Sequence, residues 1–388
     1  MNSTPTLLQM IEALVCTPSV SSPDASLDQG NLAVIEQLAS WLADAGFSIE
    51  IMPLPGDSKK ANLIATLGSG TGGLVLSGHT DTVPCDAGKW RHDPFSLTRA
   101  DQRLYGLGTS DMKAFFALAI EASRELRARD MQEPLIILAT ADEETSMAGA
   151  KALVDRRLPQ ARYAIIGEPT GLRPVNMHKG MMMEAIHLQG RSGHSSDPAL
   201  GNSALEAMYS VIGALRAWRA ELQQKHHNAC FAVPVPTLNL GHIHGGDNPN
   251  RICPECELHI DLRPLPGMDP QQLREELRDR TLSVLRDSGI QASFEALLDG
   301  VPALQTPASA GIVQLAQKLT GHSPEAVAFS TEAPYLNQLG METVVLGPGD
   351  IEQAHQPDEY LALQRLTPTI EILKQMINTI CIRRDPLL

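Results

Sequence analysis

The chain has 388 residues, 43% hydrophobic and 20% charged, an ordinary globular composition with enough length for about two domains. A formal net charge of −14 argues against a nucleic-acid partner, which would need a basic face, and disfavours anionic membrane surfaces. No apolar run approaches the ~20 residues that span a bilayer, and six cysteines at irregular spacings suggest no disulfide framework.

The first sixteen residues lack a basic leader and carry Glu12 inside their apolar stretch. They read as an amphipathic helix and not a signal peptide, so a cytoplasmic location is expected. Residues 30–45 follow as a helix with Val34, Leu38 and Leu42 on one face, ending at Ala45-Gly46. Short apolar runs at Leu74–Leu76, Leu135–Leu138, Ala164–Ile166 and Thr343–Leu346 suit strands buried on both faces of an α/β sheet. Between them, residues 181–297 read as strand, helix, strand, strand, helix, strand, the βαββαβ order of a ferredoxin-like domain. The expected architecture is therefore α/β: a large catalytic domain, residues 1–180 and 298–388, with a ferredoxin-like domain inserted at 181–297.

Each buried run leads directly into chemistry-bearing residues. His79 and Asp81 follow the first, Glu143 and Glu144 the second, Glu168 the third, and His355 lies beyond the fourth. In open α/β sheets, ligands bind at the carboxyl ends of strands, so these residues should share one rim. A fifth segment, Gly106–Asp111, puts Asp111 beside a helix start with Ser110 as candidate N-cap. Two imidazoles with several carboxylates suit zinc, and also cobalt or manganese. Such a set is too rich for one tetrahedral ion and fits a pair about 3.5–4 Å apart sharing a carboxylate. One of the adjacent acids Glu143 and Glu144 can ligate while the other stays free as general base. Asp81 is placed to accept the second N–H of His79. A lone His or Glu at a strand end is ordinarily solvated surface; five such segments are hard to produce by accident.

The stretches GHTDTVP (78–84), YGLGTSDMK (105–113), ATADEETSMAGA (139–150), IIGEPT (165–170), GRSGHSSDP (190–198) and AHQPDEY (354–360) resemble the di-zinc aminoacylase and carboxypeptidase G superfamily, which includes succinyl-diaminopimelate desuccinylase. Residues 240–267, STEAP (330–334) and 346–361 closely resemble its N-acetylornithine deacetylases. The resemblance implies hydrolysis of an N-acyl amino acid, N-acetylornithine first, with two zinc ions that cobalt could replace. It makes Asp111 the bridging ligand, His79 and Glu168 ligands of one ion, and Glu144 and His355 ligands of the other. Glu143 becomes the general base and Asp81 the partner of His79, and a cis peptide is expected at Asp111-Met112. His194 would polarise the scissile carbonyl across a homodimer interface, making the insert a dimerisation lid. Asn250 and Arg251, with Arg263 as a weaker candidate, would bind the substrate carboxylate. Glu332 in STEAP is a candidate receptor for the distant ammonium. Relatives usually carry Gly where Ala114 stands, a change expected to perturb helix packing only slightly.

Other features carry less. Cys253 and Cys256 have the spacing of a zinc pair but no second pair, and His178, His242 and His244 are assigned to no site. The alternatives are a deacylase for another N-acyl amino acid, such as an aminoacylase or the desuccinylase, and a non-catalytic metal- or amino-acid-binding relative. The second would be marked by loss of Glu143 or a ligand, and neither is lost. No Arg/Lys cluster suggests a di-metal phosphoesterase.

Overall fold

A computed structural model describes residues 5–383. Contacts divide the chain into two units: one runs to Asn176 and adds Thr306–Glu325 and the segment from Thr331, the other comprises Met177–Gln305 and Ala326–Ser330.

The first unit is built on a mixed sheet. Strand Leu74–His79 is hydrogen-bonded in parallel to Leu135–Thr140 on one side and to Tyr163–Ile166 on the other; Glu342–Val345 adds in parallel beyond Tyr163–Ile166. Every residue of the Leu74, Leu135 and Tyr163 strands is buried, as their continuous apolar sequence requires. Helices cover the sheet. Leu32–Asp44 ends before Gly46, whose φ of 92° turns the chain out of the helix. Ala114–Ser123 is the most enclosed, with Phe115, Phe116, Leu118 and Ile120 at 1% exposure or less.

A hairpin of Ser48–Leu54 and Asp57–Leu67 extends this sheet antiparallel beside Leu135–Thr140. Its sequence announces it poorly: four of seven residues in its first strand are exposed, and the second begins with Asp57, Ser58, Lys59 and Lys60 before the short run Leu63–Ala65. The Ala114 helix also begins later than a Ser110 cap would place it, after Lys113. Ser110 is used otherwise: its hydroxyl donates to the Asp350 carbonyl and its N–H to Glu359.

The second unit has four antiparallel strands in the order Thr237–Gly245, Glu255–Arg263, Met181–Gln189, Gln291–Val301. Helices Ala204–Lys225 and Pro270–Leu285 are inserted after the first and third strands in chain order, giving the expected βαββαβ. Ser203 and Asp269 cap them by accepting the N–H groups of Glu206 and Gln271. Strand alternation sends Ile186, Leu188, Leu258, Ile260 and Leu262 into a core with Met208, Leu215, Trp218 and Leu277. The opposite face carries His187, Glu257, His259 and Asp261. Cys253 and Cys256 are buried free thiols. Among the described residues no helix is long and apolar enough to cross a membrane.

Candidate metal centre

Because four strands run parallel in matched register, with His79 opposite Thr140, and Ser77 and Val345 each opposite Ile166, their carboxyl ends leave on one rim. That rim gathers the side chains expected from sequence. His79 Nε2 lies 3.0 Å from Asp111 Oδ1 and 3.6 Å from Glu168 Oε1. His355 Nε2 lies 3.6 Å from Asp111 Oδ2 and 3.1 Å from Glu144 Oε2. The two oxygens of Asp111 thus face two separate His–Glu pairs. Glu143 joins His79 and Glu168 in a group whose donor atoms all lie within 4.8 Å of one another. The Asp111-Met112 peptide is cis, as expected.

The orientation of His79 is set locally. Its Nδ1 lies 2.9 Å from the backbone carbonyl of Asp81, which leaves Nε2 toward Asp111. The Asp81 carboxylate, expected to take that role, is 3.7 Å away. It accepts instead the backbone N–H groups of Glu143 and Glu144, pinning the segment that carries both acids.

So many carboxylates in a buried site oppose one another's ionisation. Burial, then the Glu168 carboxylate, hold Glu143 well above the ordinary carboxylate range. Burial, then Asp111, do the same to Glu168. Burial works against a charged His79, yet the Asp111 hydrogen bond and the surrounding carboxylates raise it well above its ordinary value. His355, hydrogen-bonded to Glu144, rises to about 9. The site is short of positive charge.

Residues 75–379 match the family described as Peptidase family M20/M25/M40. The chain belongs to that family.

This M20-family chain is 49% identical over 379 residues to the acetylornithine deacetylase of Edwardsiella ictaluri (strain 93-146), covering 98% of this chain and 99% of that protein. Its fold is similar to the M20 metallo-carboxypeptidase Sso-CP2 of Sulfolobus solfataricus, with a TM-score of 0.76, 18% identity and coverage of 96% and 98%. It is also similar to a Bacillus subtilis protein described as a dinuclear metal binding peptidase of the M20 family, with a TM-score of 0.66, 16% identity and coverage of 96% and 97%.

The residues on the rim fit a pair of divalent ions. Glu168 Oε1 is buried without a hydrogen-bond partner, an orphaned acceptor that a cation would satisfy. Two imidazoles and three carboxylates supply borderline and hard donors of the type zinc and cobalt take.

Two buried acids support this rim in ways the sequence reading missed or misassigned. Glu359 collects three backbone N–H groups: Ser110 and Asp111 donate to Oε1 at 2.7 and 3.0 Å, and Gly108 donates to Oε2 at 3.1 Å. A ladder between Tyr360–Ala362 and Arg103–Tyr105 brings Glu359 under that loop. Burial raises it to about 8 against those hydrogen bonds. The only sequence signal was its place four residues after His355. Glu332, expected as an ammonium receptor, is 1% exposed and accepts the Ser77 hydroxyl on Oε1 and the Thr140 hydroxyl on Oε2, both at 2.6 Å. Its oxygens are committed to tying together the strands that lead to His79 and to Glu143, and are not free for a substrate ammonium.

The second unit brings His194, Asn250 and Arg251 together. Ser195 donates its N–H to the Asn250 carbonyl, and His194 and Arg251 form a β-bridge. His194 is exposed, with Nδ1 2.7 Å from the Ser196 hydroxyl. Arg251 is engaged by Asp247, and Arg263 by Asp261 at 2.9 Å.

Proposed function

We propose that the chain is a metal-dependent amidohydrolase that converts N2-acetyl-L-ornithine to L-ornithine and acetate. The observation that carries this reading is the division of Asp111 between two His–Glu pairs, with Glu143 beside the His79–Glu168 pair. The 49% identity to a deacetylase of that substrate supports its specificity.

In this reading Asp111 would hold both ions, with His79 and Glu168 completing one site and Glu144 and His355 the other. Zinc bound there, with cobalt able to substitute, supplies Lewis acidity that acidifies water and polarises a carbonyl oxygen. Glu143 takes the proton of the attacking water as the new C–O bond forms at the acetyl carbon. When the C–N bond breaks, it returns that proton to the departing α-amine. Burial and the neighbouring Glu168 carboxylate raise the proton affinity of Glu143, the direction a general base requires. Asp81 keeps Glu143 in place through its backbone N–H. His194, contributed across a homodimer formed through the inserted unit, steadies the oxyanion. Asn250 and Arg251 orient the α-carboxylate, a role that requires Arg251 to exchange Asp247 for substrate. Arg263 is a further candidate for that contact.

The test is ornithine release by purified protein as isolated, after chelation, and after zinc or cobalt is restored, with N-succinyl-diaminopimelate and N-acetylmethionine alongside. Metal-dependent turnover favouring acetylornithine supports the assignment. Turnover of another compound alone overturns the substrate and keeps the chemistry; no metal-restored turnover of any overturns both.

A further inference from the structure

The helix-free face of the second unit's sheet concentrates imidazoles. His242 stands opposite His259, and His244 opposite Glu257, in the ladder of the Thr237 and Glu255 strands. Glu257 is in turn opposite His187, and His187 opposite Ser293, with Glu295 two residues farther along the same face. Four histidines and two glutamates are thereby placed on one side of four strands.

Three of them converge. His242 Nε2 lies 3.1 Å and His259 Nε2 4.0 Å from the same atom, Glu257 Oε1. All three donor atoms lie within 4.8 Å of one another, and the two rings are 4.7 Å apart. Around a tetrahedral zinc with bonds near 2.0–2.1 Å, donors sit about 3.3 Å apart, close to the spacing already present. His187 stands behind them, Nδ1 3.6 Å from Glu257 Oε2 and Nε2 3.4 Å from Glu295 Oε2, so it steadies the carboxylate's other oxygen. These side chains are about a third to a half exposed, where an ordinary ion pair is worth only about 0–1 kcal/mol. Electrostatic gain to the fold does not account for gathering them.

We propose that His242, Glu257 and His259 form a second metal site, separate from the rim, that binds one borderline divalent ion such as zinc, nickel or copper. Its fourth position is open to water. Magnesium and calcium, which prefer oxygen donors, are poor occupants. An ion there links the Thr237 and Glu255 strands through side chains on adjacent ladder positions.

The experiment counts zinc in the full-length protein after equilibrium dialysis against a buffer holding free zinc in the micromolar range. Native protein is compared with a His242→Ala/His259→Ala double variant and, independently, with Glu257→Gln. The expected result is one zinc fewer per chain in the double variant, whatever number the rim retains, and weakened binding of that one ion in Glu257→Gln. Hydrolytic turnover should be unchanged in both variants. Equal zinc counts in native and double-variant protein overturn the proposal. If the double variant does not fold, an unchanged zinc-binding isotherm for Glu257→Gln overturns it.

Discussion

In the proposed reading, residues at the rim divide into donors, a base and the acids that position them, and each class predicts a different failure. With Glu143 as the base and not a ligand, Glu143→Gln should leave metal content intact and lower kcat by about two to four orders of magnitude. Parallel metal counts and steady-state rates check this. Glu359 acts through the loop it holds. In Glu359→Gln the amide oxygen can still accept from Ser110 and Asp111, but the NH2 group would face the Gly108 N–H, donor against donor. Metal affinity or kcat should fall about 10–100-fold, the usual cost of losing a group that orients a ligand. Competition with a chelator, run beside the rate assay, separates the two effects.

Strands and helices determine how closely the donors can approach, and two glycines show the tolerance. Gly78 and Gly167 immediately precede His79 and Glu168. A Cβ on Gly78 would come 2.1 Å from Met112, and one on Gly167 would come 2.2 Å from the Phe115 ring. Both neighbours are buried; the Gly78 contact is with the terminal methyl of the flexible Met112 side chain, whereas the Phe115 ring at the start of the Ala114 helix has little room to move. Gly167→Ala should destabilise the protein by about 1–3 kcal/mol through overpacking and displace Glu168. Urea unfolding measures the first effect; a rise in the zinc concentration needed for half-maximal activity measures the second. Ala114, where relatives usually carry Gly, sits 1% exposed at the helix start, where its methyl joins the core.

For the whole molecule, stability should fall in mild acid for a reason found away from the rim. His178 is fully buried, and burial lowers it to about 4 from an ordinary 6.5. Below about pH 6.5 the unfolded chain takes up a proton that the folded chain refuses until about pH 4. The stability is therefore fully present above that window and is lost as pH falls through it. The shift corresponds to about 3 kcal/mol at the acid end. The native protein should lose more unfolding free energy between neutral pH and about pH 5 than His178→Gln does, by about 2 kcal/mol. Denaturant unfolding at the two pH values tests it, and parallel pH profiles would contradict it.

Local chemistry determined what could be read from the amino acids in order. Continuous apolar runs announced the parallel strands because strands buried on both faces have no polar positions. The residues just beyond those runs announced the rim because parallel strands must all end on the same side. The βαββαβ order was legible from alternation and helix periodicity. The hairpin at 48–67 was not, because its solvated positions break the apolar pattern. Only tertiary structure decided the roles of Glu332 and Glu359, whose partners lie 192–255 and 248–251 residues away. It alone assigned the Asp81 carboxylate to the backbone of Glu143 and Glu144. It also decided that His242, Glu257 and His259 share one corner of a sheet. A hydrogen bond or a ligand set depends on distance in space, and spacing along the chain carries that information only where a regular element makes the two proportional.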